Sequence, residues 1–244
     1  PYQILSPEYR WFPADEVLRE SSYEKLLPPL VHKIRQDVKE WRDTNYEGAT
    51  GTSKVLLHWW FQREHIMPQS DGSLFDFQYY FAQREAIETI IYLYEVVKVK
   101  DKYDLIRFDS SGAVSTGMFD EDWLRLVIKM ATGSGKTKVM SLVIAWCYFH
   151  KLYEPDSKLA TNFLVIAPNI IVLDRLRADF DGLKIFFKDP LLPDNGYEGQ
   201  NWQDDFQLTL HIQDEVSIVR KTGNFFLTNI HRVYAGNDIE PSFD

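Results

Sequence analysis

The stretch Met130-Ala-Thr-Gly-Ser-Gly-Lys-Thr137 constrains this chain more than any other. Before it, Leu124-Arg-Leu-Val-Ile-Lys129 reads as a strand, and after it Lys138-Val-Met-Ser-Leu-Val-Ile-Ala-Trp-Cys-Tyr-Phe149 reads as a helix that starts at about Lys136. Glycines at 133 and 135 let the backbone curl so that successive N–H groups point inward, which a β-carbon would obstruct. Such a nest binds anions, and the positive end of the following helix dipole adds to it. Lys136 then reaches the β- and γ-phosphates of a nucleotide, and the Thr137 hydroxyl ligates Mg²⁺. Met130 stands where the general phosphate-loop pattern, Gly-x-x-x-x-Gly-Lys-Ser/Thr, begins with glycine, but the cradle itself is complete. An ordinary flexible turn is the competing reading, and the strand and long apolar helix on either side argue against it.

Composition allows a large core, with 45% hydrophobic and 26% charged residues in 244. That length accommodates one full α/β domain and an appendage of some tens of residues. Cys147 is the only cysteine, so one chain can make neither a disulfide nor a cysteine-rich metal site, which fits a reducing compartment such as the cytoplasm. No signal peptide opens the chain and its apolar runs fall short of the roughly 18 residues needed to span a bilayer, so no membrane partner is expected. A net charge of −9 argues against a free-standing protein that binds nucleic acid through a broad basic face. It leaves room for a motor that grips one strand through a few loops.

Residues 1–75 are rich in tryptophan and tyrosine and are expected to form a mainly helical extension, with an α/β domain over 76–244. Apolar positions 30, 31, 34, 38 and 41 predict a helix over Leu30–Trp41, which Pro28-Pro29 would start. Ser53–Phe61 predicts a second helix, whose aromatic side must be covered by the main domain. His58 and His65 have no third ligand nearby, so packing or surface roles outweigh a metal site. Phe81–Glu95 predicts a strong helix, apolar at 86, 87, 90, 91 and 94, and residues 98–122 a loop or hairpin. Phe163-Leu-Val-Ile-Ala-Pro168 suits a central parallel strand buried on both faces. Asn169 can cap the helix Ile170–Phe180, apolar at 170, 173, 176 and 180. A loop-rich stretch from 181 to 205 comes next, then an alternating strand over 206–213 with one wet face, and a buried strand at Phe225–Thr228. Strand and helix alternate through the second half, which predicts an α/β fold with a mostly parallel sheet flanked by helices.

Three further features narrow the nucleotide site. Gln83 opens a helix upstream of the loop, where its carboxamide can offer a donor and an acceptor to the edge of adenine. Residues 130–137 have the form of helicase motif I, Val165-Ile-Ala-Pro-Asn169 is similar to motif Ia, and Phe226-Leu-Thr-Asn-Ile-His231 to the strand end that contacts a nucleic-acid backbone. Together these resemble the first RecA-like domain of superfamily 2 helicases and translocases, and within it the motor subunits of type III restriction endonucleases and related DEAD/DEAH-box defence helicases. Leu56-Leu-His-Trp-Trp-Phe61 and Phe81–Ile91 share that likeness, which covers about residues 55–95 and 124–235.

The resemblance implies that Gln83 reads adenine and that Thr132, Gly133, Ser134, Gly135, Lys136 and Thr137 bind the phosphates of ATP and Mg²⁺, with Lys136 acting in catalysis. It also implies that Pro168, Asn169, Thr228 and Asn229 lie on the face that touches DNA. Blander roles compete: Asn169 as a helix cap, Thr228 as a β-residue, Gln83 as a polar residue in a first helical turn, and Arg175 or Arg232 as solvated charges. Its further partners would be a second RecA-like domain and a nuclease or methyltransferase subunit.

Motif II, the Asp-Glu pair that holds Mg²⁺ and orients the attacking water, is missing. Asp214-Glu215 is the only tempting pair downstream of the loop, yet it follows an alternating strand and precedes Thr228, the reverse of the family's order. We expect the chain to be a fragment, with the true pair beyond Asp244, that binds ATP without turning it over. A kinase built on the same loop, and a nucleotide-gated interaction module docking through residues 1–75, are the alternatives.

Overall fold

The computed structural model of the protein describes residues 30–109, 114, 126–213, 215 and 218–233. In chain order the first elements are α1 (Val31–Asp43), α2 (Gly51–Phe61), a hairpin of β1 (Ile66–Pro68) and β2 (Leu74–Asp76), α3 (Phe81–Ile91) and α4 (Lys102–Ile106). They are followed by α5 (Lys136–Tyr153), β3 (Asn162–Ala167), α6 (Ile170–Phe180), α7 (Lys184–Lys188), α8 (Trp202–Asp205), β4 (Thr209–Ile212), β5 (Asn224–Asn229) and α9 (Ile230–Val233). Of the described residues, those within 30–50 and 79–134 gather into one compact unit, and those within 51–78 and 135–233 into a second.

In the first unit α1 forms where its apolar spacing predicts, and Ile34 and Val38 pack with Leu93, Val99 and Phe108. Pro28-Pro29 lies outside the described residues. The helix expected over 81–95 forms in two parts, because α3 passes into a π-helical turn at Tyr92–Val96. That turn holds one more residue than an α-turn, so it shifts the phase of the helix. Leu93 and Glu95 become buried, and Tyr94, expected on the apolar face, is half-buried.

The buried side of α3 carries charges as well as hydrophobic residues. Glu88 is fully buried and receives the Arg42 guanidinium, Arg84 Nε at 2.8 Å and the Tyr46 hydroxyl at 2.7 Å. Glu85 receives Arg35 Nε at 3.0 Å and Arg42 at 2.8 Å. Glu95 accepts the Thr50 backbone N–H at 2.7 Å. Each carboxylate has its partners, which is the condition for burying charge at all.

Two expectations upstream of the phosphate loop are corrected. Within 98–122, Asp101 caps α4 by accepting from Tyr103 N at 2.8 Å, so part of that stretch is helical. The strand expected over 124–129 is absent from its described part: residues 126–130 pair with no strand, and Leu126, Val127 and Ile128 are exposed. Sheet pairing, which apolar sequence alone does not supply, is what makes such a run a strand.

The second unit is built on aromatic packing. Phe149 of α5 meets Trp202 edge-on with centroids 4.8 Å apart, and Phe206 at 5.6 Å. Phe186 lies 4.9 Å from Phe206, and Phe180 4.7 Å from Phe225 on the sheet. The sheet is parallel in the order β3-β5-β4, with Leu164 opposite Phe226, Ala167 opposite Asn229 and Ile212 opposite Leu227. Helix α6 spans the predicted residues and buries Leu173, Leu176 and Phe180, while Ile170, beside the cap, stays exposed. The α/β architecture with a parallel sheet flanked by helices is therefore the one expected.

Strand burial differs from the sequence reading in two places. Rather than central and covered on both faces, β3 pairs with β5 alone among the described residues and leaves Leu164 61% exposed. The polar side of the alternating stretch is wet only in part, with Gln207 exposed and Thr209 and Gln213 half-buried. His211 is buried there, with its ring stacked on Phe226 and Nε2 3.0 Å from Asn224 Oδ1. At the mouth of β5, Gly223 has φ +74°, and a β-carbon there would stand 2.2 Å from the Gln207 carbonyl oxygen. Glycine is what lets β4 and β5 close on each other at that point. Among the described residues no helix is long and apolar enough to cross a membrane.

Candidate nucleotide and nucleic-acid sites

The phosphate loop is shaped by local bonds. Ser134 Oγ donates to the Ala131 carbonyl at 2.7 Å and closes a turn over Thr132 and Gly133. Gly133 and Gly135 have φ +82° and +81°, the left-handed region where a side chain is strained. Among the described residues no atom beyond its chain neighbours lies within 4 Å of where a Gly133 β-carbon would stand, so it is the left-handed backbone, not crowding, that calls for glycine there. Gly135 occupies the N-cap position of α5, whose first turn contains no acidic residue. The N–H groups of that turn thus keep their positive end without a carboxylate. Lys136 is exposed; Thr137 is half-buried, with its carbonyl accepting the Ser141 hydroxyl at 3.0 Å.

Gln83, in the first turn of α3, is 6% exposed. Its Oε1 accepts the Tyr80 N–H at 3.0 Å, and its Nε2 donates to the Ser134 carbonyl at 3.1 Å. The side chain that the sequence assigns to adenine therefore both caps its own helix and holds the phosphate loop. A carboxamide has two N–H donors and two acceptor lone pairs, so each contact leaves one of each in reserve.

Pro168 and Asn169 follow β3, and Thr228 and Asn229 end β5; since Ala167 faces Asn229 in register, the four residues share the C-terminal edge of the sheet. Two of the side chains are occupied locally. Asn169 Oδ1 accepts from Val172 N at 2.9 Å and caps α6, and Asn229 Oδ1 accepts from His231 N at 2.9 Å. Thr228 is half-buried and lines a shallow hollow with Leu164, His211 and Phe226. Arg175 and Arg232 are exposed.

Asp214 lies outside the described residues. Glu215 is exposed and pairs with Arg177 at 2.5 Å. Among the described residues no group of three or more His, Cys, Asp or Glu is placed to hold a metal ion. His65 is buried with Nε2 2.6 Å from the Trp59 carbonyl, a packing role. Burial, with the Lys54 charge beside it, holds His58 below the ordinary imidazole range. Burial also pushes the Cys147 thiol up to about 12, which keeps it protonated and unreactive near neutral pH.

Two groups near the loop have no signal in the sequence. The Ser134 carbonyl that receives Gln83 is a backbone atom, and the ion pair between Lys138 and Asp189 joins residues 51 positions apart. Neither spacing is periodic, so only the fold brings them together.

Comparison with known protein families gives a match over most of the chain. The model of a family described as type III restriction enzyme, res subunit, fits residues 76–242. No curated protein and no solved structure matches the chain.

Proposed function

The chain belongs to the type III restriction enzyme, res subunit family, a RecA-like family with a helicase-type ATP-binding domain, and on that premise we propose that it is the ATP-binding part of an ATP-dependent DNA helicase or translocase in a restriction or antiphage defence enzyme. The observation that carries this reading is the turn with left-handed glycines at 133 and 135 that leads straight into α5. A cradle of backbone N–H groups fits phosphate oxygens, and a hydroxyl in the adjoining helical turn fits a hard cation such as Mg²⁺.

In this assignment Thr132, Gly133, Ser134 and Gly135 present N–H groups to the phosphates, Lys136 neutralises the β- and γ-oxygens, and Thr137 ligates Mg²⁺. ATP, when bound, supplies the phosphoanhydride whose cleavage drives movement. Gln83 reads adenine with its remaining donor and acceptor. Pro168, Asn169, Thr228 and Asn229 approach the DNA backbone at the sheet edge, where Asn169 and Asn229 order the turns that carry them. Residues 76–244 act as the first RecA-like domain behind a helical extension over 1–75, and a second such domain completes the motor. Asp214-Glu215 is not assigned to Mg²⁺, so this chain by itself binds ATP without turning it over.

The test is binding of MgATP by the chain, followed with a fluorescent analogue, in native and Lys136→Ala forms. We expect native binding and at least a roughly tenfold loss in the variant, the scale of a charge-assisted phosphate contact. Equal affinity in the two proteins would remove the assignment of the loop. DNA-stimulated hydrolysis by the chain alone, abolished by Asp214→Ala, would instead promote that pair to the catalytic role. Transfer of the γ-phosphate to small acceptors would favour a kinase.

A further inference from the structure

We infer that Asp189 is a positioning residue for nucleotide binding: through Lys138 it fixes the first turn of α5, the turn that carries Lys136 and Thr137. The inference rests on the nucleotide-binding reading of the loop, and its observations all lie within the second unit.

Asp189 and Lys138 form a partly buried ion pair, with side chains 25% and 17% exposed. Lys138 sits two residues beyond Lys136, about 200° around the helix, so its charge points away from the side Lys136 uses and serves as a tether. Asp189 begins a strap after α7, and the next two carbonyls of that strap are hung on buried indoles. Trp59 Nε1 donates to Pro190 O at 2.8 Å, and Trp60 Nε1 to Leu191 O at 2.7 Å. Leu191 and Leu192 are buried, which anchors the strap further.

The same helix α2 that carries the indoles holds the rest of α5 directly. Trp146 Nε1 donates to Ser53 Oγ at 2.7 Å, and Thr52 N donates at 2.9 Å to Glu154, just past the C-terminal end of α5. Helix α5 is thus tied to α2 at its middle and far end, and through the strap at its first turn. Of these ties, the one at the first turn alone is an ion pair. Removing it leaves the helix folded and its middle fixed, but frees the turn that carries the lysine and the hydroxyl. Misplacing groups by about 1 Å can cost on the order of 100-fold in reaction rate, and groups that hold a ligand depend on placement in the same way, so a partial loosening is read in binding.

The experiment measures MgATP affinity of the whole chain with a fluorescent analogue, alongside the thermal midpoint. Lys136→Ala is the control for the loop. Asp189→Ala is expected to weaken binding about tenfold with the midpoint little changed, and Asp189→Glu to restore most of the affinity. The swapped pair Lys138→Asp with Asp189→Lys is expected to bind more tightly than Asp189→Ala. Should Asp189→Ala unfold, the near-isosteric Asp189→Asn takes its place with the same outcomes. Native affinity in the Asp189 variant, with Lys136→Ala impaired, would overturn the inference, as would a swapped pair no better than Asp189→Ala. If the native chain itself binds no MgATP, the assignment of the loop fails.

Discussion

The two units solve the same problem with opposite materials. In the first, α1 and α3 meet through Glu85 and Glu88 held by Arg35, Arg42, Arg84 and Tyr46, with a modest apolar cluster nearby. In the second, α5, α8 and the sheet meet through rings, Phe149, Trp202, Phe206, Phe186, Phe180 and Phe225. Ring packing tolerates a change of shape at a cost proportional to the atoms removed. A buried ionic cluster fails as a set, since deleting one member leaves the others charged, buried and unanswered.

The sharpest way to break this contrast is Glu88→Gln, which keeps the size of the side chain and removes its charge. We expect a loss of about 3–5 kcal/mol, read from the urea midpoint and from faster amide exchange in α3. A smaller effect is expected from Phe149→Leu, where roughly 1.5 kcal/mol is lost because neighbouring rings close in part on the gap. If the phenylalanine variant proves the more damaging, the ionic cluster is not the keystone of its unit.

A third measurement sharpens the comparison through pH and is the smallest in effect. Burial and the neighbouring Lys54 depress His58 in the second unit. A depressed histidine leaves stability intact above its unfolded value, about 6.5, and takes it away as pH falls through the folded value. Acidification from pH 7 should therefore lower the thermal midpoint of the native chain slightly more than that of His58→Gln. Equal slopes would mean that the ring gains as much from its surroundings when charged as when neutral.

Sequence reading succeeded where a single physical rule decided the outcome. Helices α1 and α6 follow from apolar spacing, the start of α5 from the glycine-lysine junction, and the Asn169 cap from a short acceptor ahead of an apolar run. It failed where partners distant in sequence decide. Apolar spacing says nothing of Glu85 and Glu88, whose burial depends on Arg42 more than forty residues earlier. The polar side of β4 reads as wet until Phe226 and Asn224 cover His211. Leu126-Val-Ile128 reads as a strand because periodicity records apolarity and not the neighbour a strand requires. At the candidate site the residue types were legible, whereas the bond from Gln83 to the Ser134 carbonyl and the Asp189 strap were not.

The π-helical turn at Tyr92–Val96 makes the length of this segment part of its specification. The turn stores one residue beyond what an α-helix would use, closed by Val97 N donating to Tyr92 O at 3.0 Å. Deleting that residue would let an ordinary helix continue with its ladder unbroken, so backbone bonding alone would not oppose the change. Everything beyond it, however, would rotate by about 100°. Glu95 would swing away from the Thr50 amide it now receives, and Leu93 and Val99 could no longer face one cluster. The segment can therefore accept substitutions more readily than a one-residue gap.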